Sequence, residues 1–187
     1  GDKKIGYITV STFSTNTAKE FKTALKALDK KGAKKLVIDM RGNPGGLMTA
    51  ALKMASIFLK NGKTIMQVQA RDGSTEEYTA SKKYDGGFKE TKPTTVLIDG
   101  GSASAAEIFS AALHQSAGVK LVGSQSYGKG TVQTVTTFND KTEMKITVAK
   151  WLTPNGTWIN KKGLTPDVKA DEPSYASLTV ISKVSDL

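Results

Sequence analysis

Residues 95–107 read TVLIDGGSASAAE, and this stretch decides the fold. Its first four residues are apolar or β-branched, which is typical of a strand buried on both faces of a sheet. Two glycines then turn the chain into a helix that begins near Ser104. Residues 36–47, LVIDMRGNPGGL, repeat this order of strand, glycine-rich turn and helix. Two such units predict an α/β fold in which both turns meet at one edge of a parallel sheet.

The rest of the pattern fits a single domain. The chain has 187 residues, enough for one well-formed core, so we expect one domain over residues 1–187 with a weakly structured tail after about residue 173. Hydrophobic periodicity and turn residues predict the other elements. They are a strand at 5–10, helices at 17–31, 47–59 and 105–115, a hairpin of 64–70 with 76–79, a mobile loop at 84–87, a strand at 121–122, and a C-terminal β-hairpin of 132–138 with 143–152.

Composition excludes several functions. The chain has no cysteine and one histidine, His114, so disulfides, thiolate nucleophiles and multi-histidine metal sites are excluded, and we expect no metal and no cofactor. The net charge of +10 raises the alternative of a basic nucleic-acid-binding domain. However, Arg41 and Arg71 are the only arginines among 27 basic residues, and the lysines are scattered along the chain. Because base and phosphate recognition relies on arginine, we expect no nucleic-acid partner.

Ser104 is a candidate nucleophile. It lies at the start of a predicted helix, where the N–H of the next residue can stabilise an oxyanion. The pattern Ser104-x-x-Glu107 is also an ordinary helix capping box, and this structural interpretation stays open. His114 lies ten residues later on the same helix, about 15 Å away at 1.5 Å per residue, which is too far to act as the base. A catalytic Ser104 therefore needs a lysine or a carboxylate as its base.

Lys129 is the candidate base. Residues 123–131, GSQSYGKGT, have the glycine and lysine spacing of a phosphate-binding loop, but Gly130 stands where that loop needs a serine or threonine. The β-branched residues that follow predict a strand. A phosphate-binding loop leads into a helix instead, so this part of the pattern does not fit. Alternatively, burial between two glycines lowers the pKa of Lys129 so that the neutral amine is a general base, oriented by Gln133. A plain turn lysine is the remaining interpretation.

The glycine-rich turn supplies the third component. The N–H groups of Gly45 and Gly46 are candidate donors to an oxyanion, although proline and glycine here also serve turn geometry. Each of the three segments is ambiguous by itself. Together they supply a nucleophile, a base and oxyanion donors.

These three segments, in this order and with Lys129 placed 25 residues after Ser104, resemble the carboxyl-terminal processing (tail-specific) serine proteases. The resemblance runs from about residue 5 to residue 168 and includes residues 150–154 and 163–167. It implies a crotonase-like (ClpP-like) α/β core of strand-strand-helix units. It also implies that Ser104 is the nucleophile, Lys129 the general base and Gln133 the residue that positions the lysine. By the same resemblance, the oxyanion donors are the backbone N–H groups of Ala105 and of Gly45 or Gly46, and Ser102 is structural.

The family implies a serine endopeptidase that cleaves near the C-terminus of protein substrates and acts outside the cytoplasm. Two departures stand out. Some members carry an aspartate that aligns with Gln115, so no acidic catalytic residue is assigned here. No segment resembles the PDZ domain that usually precedes the core, and no signal or anchor is seen in this chain. We expect protein or peptide substrates bound through their C-terminal region, a PDZ domain in the intact protein and a possible homodimer at full length. A non-proteolytic binding module or pseudo-enzyme of crotonase fold is the alternative.

Overall fold

The computed structural model describes residues 4–139 and 142–170. The predicted tail after residue 173 and part of the predicted 139–140 turn lie outside these residues. The described elements are the strands β1 (Ile5–Thr9), β2 (Lys35–Asp39), β3 (Thr64–Gln69), β4 (Thr75–Thr79), β5 (Thr94–Ile98), β6 (Lys120–Gly123), β7 (Thr131–Thr137), β8 (Glu143–Leu152) and β9 (Val168–Lys169), and the helices α1 (Thr17–Lys30), α2 (Met48–Phe58), α3 (Lys82–Asp85) and α4 (Ala105–Ala117).

The first sheet is parallel and has the strand order β1-β2-β5-β6-β9. Its central strands place fully buried residues such as Ile38 and Val96 against the helices. Strands β2 and β5 are neighbours, and Asp39 pairs with Leu97 near their carboxyl ends. Both glycine turns therefore lie side by side at one edge of the sheet, as the sequence predicts. The α/β class and the crotonase-like core are confirmed.

Helix α4 is the centre of the core. Every residue from Ala105 to Leu113 is buried, because α4 packs against α2 and against both sheets. Phe109 of α4 contacts Phe13, Phe21 and Phe58, with ring centroids 6.1–6.4 Å apart. These tilted and edge-to-face ring contacts add to the burial energy of the helix. The N-terminus of α4 is thereby fixed in place, and Ser104 lies there.

The second sheet is antiparallel and has the order β4-β3-β8-β7. It contains both hairpins that the sequence predicts, β3 with β4 and β7 with β8. Strand β7 begins at Thr131, two residues after Lys129, so this sheet carries the candidate base towards the edge where the glycine turns meet. Strands β4 and β7 are its two edge strands.

The sequence predicts a loop at 84–87, and this is wrong for residues 84 and 85, which are helical, whereas residues 86 and 87 form a turn. Residues 82–85 form helix α3, which Gly86 ends in the left-handed conformation with φ 63°. The Asp85 carboxylate is buried and accepts a hydrogen bond from Lys89 Nζ at 2.5 Å. Glycine and tyrosine around position 85 indicated a loop, whereas the buried Asp85 carboxylate pairs with the exposed Lys89 four residues later.

Among the helices of the described residues, none is long and apolar enough to cross a membrane.

Candidate active site

Ser104 is held in an unusual backbone conformation. Its φ is 53° and its ψ is −116°, and Lys161 is the only other non-glycine residue with a positive φ in the described part of the chain. A serine in this sparsely populated region costs about 1–3 kcal/mol, which the fixed start of α4 sustains. The conformation turns Ser104 out of the regular helix, and its side chain lines a cleft. Ser102, in contrast, is fully buried and its hydroxyl donates to the Met40 carbonyl at 2.8 Å.

The glycine-rich turn after β2 lies directly against Ser104. A Cβ on Gly45, which has φ 98°, would lie 2.7 Å from Ser104 Cβ, so only glycine fits at this position. The Gly45 N–H donates to the Asn43 side-chain oxygen at 2.8 Å and is therefore occupied. Within the described residues, the N–H groups of Gly46 and Ala105 donate no hydrogen bond. Gly46 lines the same cleft as Ser104.

Asp99 joins the two turns. Its Oδ1 accepts the N–H of Gly42 at 2.8 Å and the N–H of Gly101 at 2.9 Å. One carboxylate thus connects the turn after β2 to the turn that leads into Ser104. A Cβ on Gly101 would lie 2.8 Å from the Gly42 Cα, so the two turns touch.

A second polar cluster supports the glycine-rich turn from the side of β1. The buried Asp39 carboxylate accepts hydrogen bonds from Arg41 Nη2 at 2.7 Å, from the Arg41 N–H at 2.9 Å and from the Tyr7 hydroxyl. Burial alone would raise the pKa of Asp39, but the hydrogen bonds from Arg41 and Tyr7 outweigh it and hold the pKa below its ordinary value. The pair with Asp39 fixes the Arg41 side chain at the start of the turn.

Lys129 is fixed through its backbone by several distant segments. The Trp151 indole N–H donates to the Lys129 carbonyl at 2.6 Å, and the Trp158 indole N–H donates to the Gly130 carbonyl at 2.8 Å. On the other side, Lys161 N–H donates to the Gly128 carbonyl at 2.8 Å. The Lys129 side chain is half-buried and reaches the same cleft as Ser104.

Both glycines beside Lys129 are required by close packing. A Cβ on Gly128 would lie 2.7 Å from the Gly163 nitrogen, and a Cβ on Gly130 would lie 2.7 Å from Trp158 Nε1. The segment that carries Lys129 therefore lies tightly against residues 158–163. The sequence prediction of a lysine between glycines at a strand entrance, where backbone packs closely, fits this geometry.

Glu107 connects the nucleophile segment to the lysine segment. Its side chain has no exposed surface, and it accepts hydrogen bonds from the N–H of Ser104 at 2.9 Å and the N–H of Lys129 at 2.9 Å, both on Oε2. On Oε1 it accepts the Gly128 N–H at 2.7 Å and the Ser126 hydroxyl at 2.6 Å. From the sequence, Glu107 is predicted only as a capping residue, on the spacing of the capping box. No pattern in the sequence indicates its contact with residues 126–129.

One cleft of about 520 Å³ brings these groups together. Ser104, Lys129 and Gln133 all line it, as does Gly46 from the glycine-rich turn. Its other walls are mainly apolar and are formed by Leu47, Met48, Met66, Ile108, Thr131, Val132 and Trp151. This arrangement offers a polar reacting end beside a surface that fits an apolar side chain.

The remaining candidates lie elsewhere. His114 is in the last turn of α4, where its Nδ1 is 3.0 Å from the Val119 carbonyl oxygen. Gln115 accepts the Asn155 N–H at 2.9 Å. In the described residues, no group of three or more histidine, aspartate or glutamate side chains is placed to hold a metal ion.

The fold is an α/β core with a cleft at the edge where the two glycine turns meet, and comparison with known proteins gives its family. The model of peptidase family S41 matches residues 4–170, and the chain belongs to that family. The chain is 52% identical over 177 residues to the carboxy-terminal processing protease CtpA of Bacillus subtilis (strain 168), covering 95% of this chain and 37% of that protein. It is 43% identical over 180 residues to a probable CtpA-like serine protease of Staphylococcus aureus (strain COL), covering 95% of this chain and 36% of that protein.

The solved structure of a photosystem II D1 C-terminal processing protease is also similar. Its TM-score is 0.79 at 35% identity, over 89% of this chain and 42% of the other. The chain thus spans less than half the length of these relatives.

Proposed function

We propose that this chain is the core of a C-terminal processing endopeptidase that uses Ser104 and Lys129 as a catalytic dyad. The observation that carries the proposal is the shared cleft, in which Ser104, Lys129 and Gln133 meet the glycine-rich turn. A serine nucleophile needs a neighbouring base, and Lys129 is the only lysine among the described residues that line this cleft. The membership in a serine-protease family supports the same reaction class.

In the proposed mechanism, the neutral Lys129 amine accepts the proton of the Ser104 hydroxyl while Oγ attacks the scissile carbonyl carbon. The oxyanion that forms accepts hydrogen bonds from the N–H groups of Gly46 and Ala105. We assign Gly46 in preference to Gly45, because Asn43 occupies the Gly45 N–H. The Lys129 ammonium then protonates the leaving amine. Water releases the acyl group from Ser104 in a second step with the same base.

Gln133 has a positioning role in this proposal. It lies four residues after Lys129 on β7, and its side chain lines the cleft. An amide oxygen there accepts a hydrogen bond from the lysine amine and directs it towards Ser104. The apolar wall next to these groups supports substrates with apolar residues near the cleavage site.

The wider context of the core is proposed on the family resemblance. We expect substrates to be proteins or peptides that present their C-terminal region, and the intact protein to contain a PDZ domain and to form a homodimer. We also propose action outside the cytoplasm, for which the absence of cysteine is a supporting feature, because such a chain cannot form wrong disulfides in an oxidising compartment.

Product mapping tests the proposed function. A disordered polypeptide with an apolar C-terminal tail is incubated with the chain, and the products are identified by mass spectrometry. We expect cuts confined to the C-terminal region of the polypeptide, and no cuts with the Ser104→Ala variant. Cuts spread evenly along the polypeptide would contradict the tail preference. An unchanged product pattern with Ser104→Ala would contradict the assignment of the nucleophile.

A further inference from the structure

Within the described residues, strand β7 is an edge strand. It reads TVQTVTT, which includes no charge, no proline and no glycine. Its pairing with β8 has one register shift, between Val132 and Gln133, and the extra residue there, Val148, lies on β8. The opposite edge of the same sheet, β4, reads TEEYT and carries Glu76 and Glu77. Charges and prolines on edge strands prevent unwanted pairing with other chains. The bare edge of β7 is therefore a place where an added strand is permitted.

The outward main-chain groups of β7 follow from its pairing with β8. At one end the Trp151 N–H donates to the Gly130 carbonyl, and at the other the Phe138 N–H donates to the Thr142 carbonyl. In an antiparallel ladder the residues that bond to the neighbouring strand alternate. Even-numbered residues of β7 thus face β8. The N–H and C=O groups of the odd-numbered residues, from Thr131 to Thr137, face away from it.

This free edge leads directly into the candidate active site. Thr131 and Gln133 line the cleft together with Ser104 and Lys129. A strand of seven residues extends about 24 Å at roughly 3.4 Å per residue. A peptide paired with β7 is therefore carried from the end of the hairpin to the nucleophile in an extended conformation.

We propose that β7 is the docking edge for the substrate, which binds as an added fifth strand of this sheet. This inference rests on the proposed function and states how its substrate is held. The partner is an unfolded polypeptide segment that is recognised through its main chain. Main-chain pairing with β7 tolerates many sequences and supplies affinity along the residues that flank the cleavage site. The apolar cleft selects which side chain is accepted at the cleavage site itself.

A substrate scan tests the pairing. A peptide whose cleavage site has been mapped is prepared as a series, each member carrying one N-methylated amide. We expect kcat/KM to fall about tenfold at every second residue on one side of the scissile bond, over about six residues, with little change at the residues between. A smooth or irregular profile would overturn the proposal. If the unmodified peptide is not cleaved, the proposed function itself fails, which separates the two results.

A matched pair of variants tests whether the substrate pairs with the edge of β7. Thr137→Pro removes an outward amide from the last residue of β7, and an edge strand tolerates proline at such a position. Thr75→Pro is the control, because Thr75 begins β4 and its amide faces away from β3, given that the Ala70 N–H donates to the Ser74 carbonyl. We expect kcat/KM to fall about fivefold for Thr137→Pro and to stay unchanged for Thr75→Pro.

Thermal unfolding of both variants is the control for whether they are folded at the assay temperature. Equal activity of the two variants would overturn the assignment of β7. A change in oligomeric state on Thr137→Pro, with kcat/KM preserved, would show that β7 pairs with a second copy of the chain and would also overturn it. The N-methyl scan does not depend on either variant, so the proposal stays testable if one of them is unstable.

Discussion

Lys129→Ala is expected to lower kcat for peptide cleavage by about 10³–10⁴-fold and to leave KM nearly unchanged. The reason is that, in the part of the chain that the structure describes, Lys129 supplies the one amine lining the cleft of Ser104, and the serine hydroxyl is a weak nucleophile without a base. Steady-state kinetics of the variant and the wild type measure kcat and KM separately.

Two further variants distinguish a role of Lys129 as a base from a role of its positive charge. Lys129→Arg keeps a positive charge, but a guanidinium stays protonated at every usable pH, so this variant should be as inactive as Lys129→Ala. Lys162→Ala removes an exposed lysine from the nearby segment and should keep wild-type kcat. Activity of Lys129→Arg within threefold of wild type would contradict the role of Lys129 as a general base.

Glu107→Gln is expected to lower kcat by about 10²-fold and the free energy of unfolding by about 2–4 kcal/mol. The carboxylate accepts four hydrogen bonds, two on each oxygen, and all four donors are neutral. An amide has one oxygen, so its NH₂ group faces two donors whichever way it is turned. Either orientation releases a backbone N–H beside Lys129, at residue 128 or residue 129, and so loosens the link to Ser104.

Glu90→Gln is the matched control for the Glu107 prediction. Glu90 is also buried, and its Oε1 accepts the N–H groups of Thr91 and Lys92 outside the cleft. We expect this variant to lose stability while its kcat at a temperature well below Tm stays at the wild-type value. Equal kcat for the folded Glu107→Gln variant and wild type would show that Glu107 supports folding only.

The sequence was sufficient to predict the fold class and the segments that meet at the site. Apolar strands followed by glycine turns have few structural solutions, and neighbouring parallel strands bring their carboxyl ends to one edge. Residues 36–47 and 95–107 therefore indicated the position of the glycine turns and of Ser104 before any contact was known. The close approach of Gly45 to Ser104 explains why this position needs a glycine.

The support around Lys129 could not be predicted, because its parts are distant in sequence. Trp151 and Trp158 follow Lys129 by 22 and 29 residues and bind its segment through single indole N–H groups. Side-chain to backbone hydrogen bonds across a fold leave no periodicity in the sequence. The same holds for Asp99, whose carboxylate joins its own turn to Gly42, 57 residues earlier. Local patterns revealed the reacting residues, and only the tertiary structure revealed what positions them.

The central claim, that Ser104 is acylated with the help of Lys129, is tested most directly by trapping the acyl-enzyme. The chain is mixed with an activated ester of an apolar peptide, quenched within milliseconds to seconds, and examined by intact mass and by fragment sequencing. We predict one acyl group per chain, located on Ser104 and not on Ser102 or Ser110. None is expected in Ser104→Ala, whereas Ser124→Ala, which alters an exposed serine, should be acylated as wild type. An acyl group on any other residue, or acylation that persists in Ser104→Ala, would contradict the account.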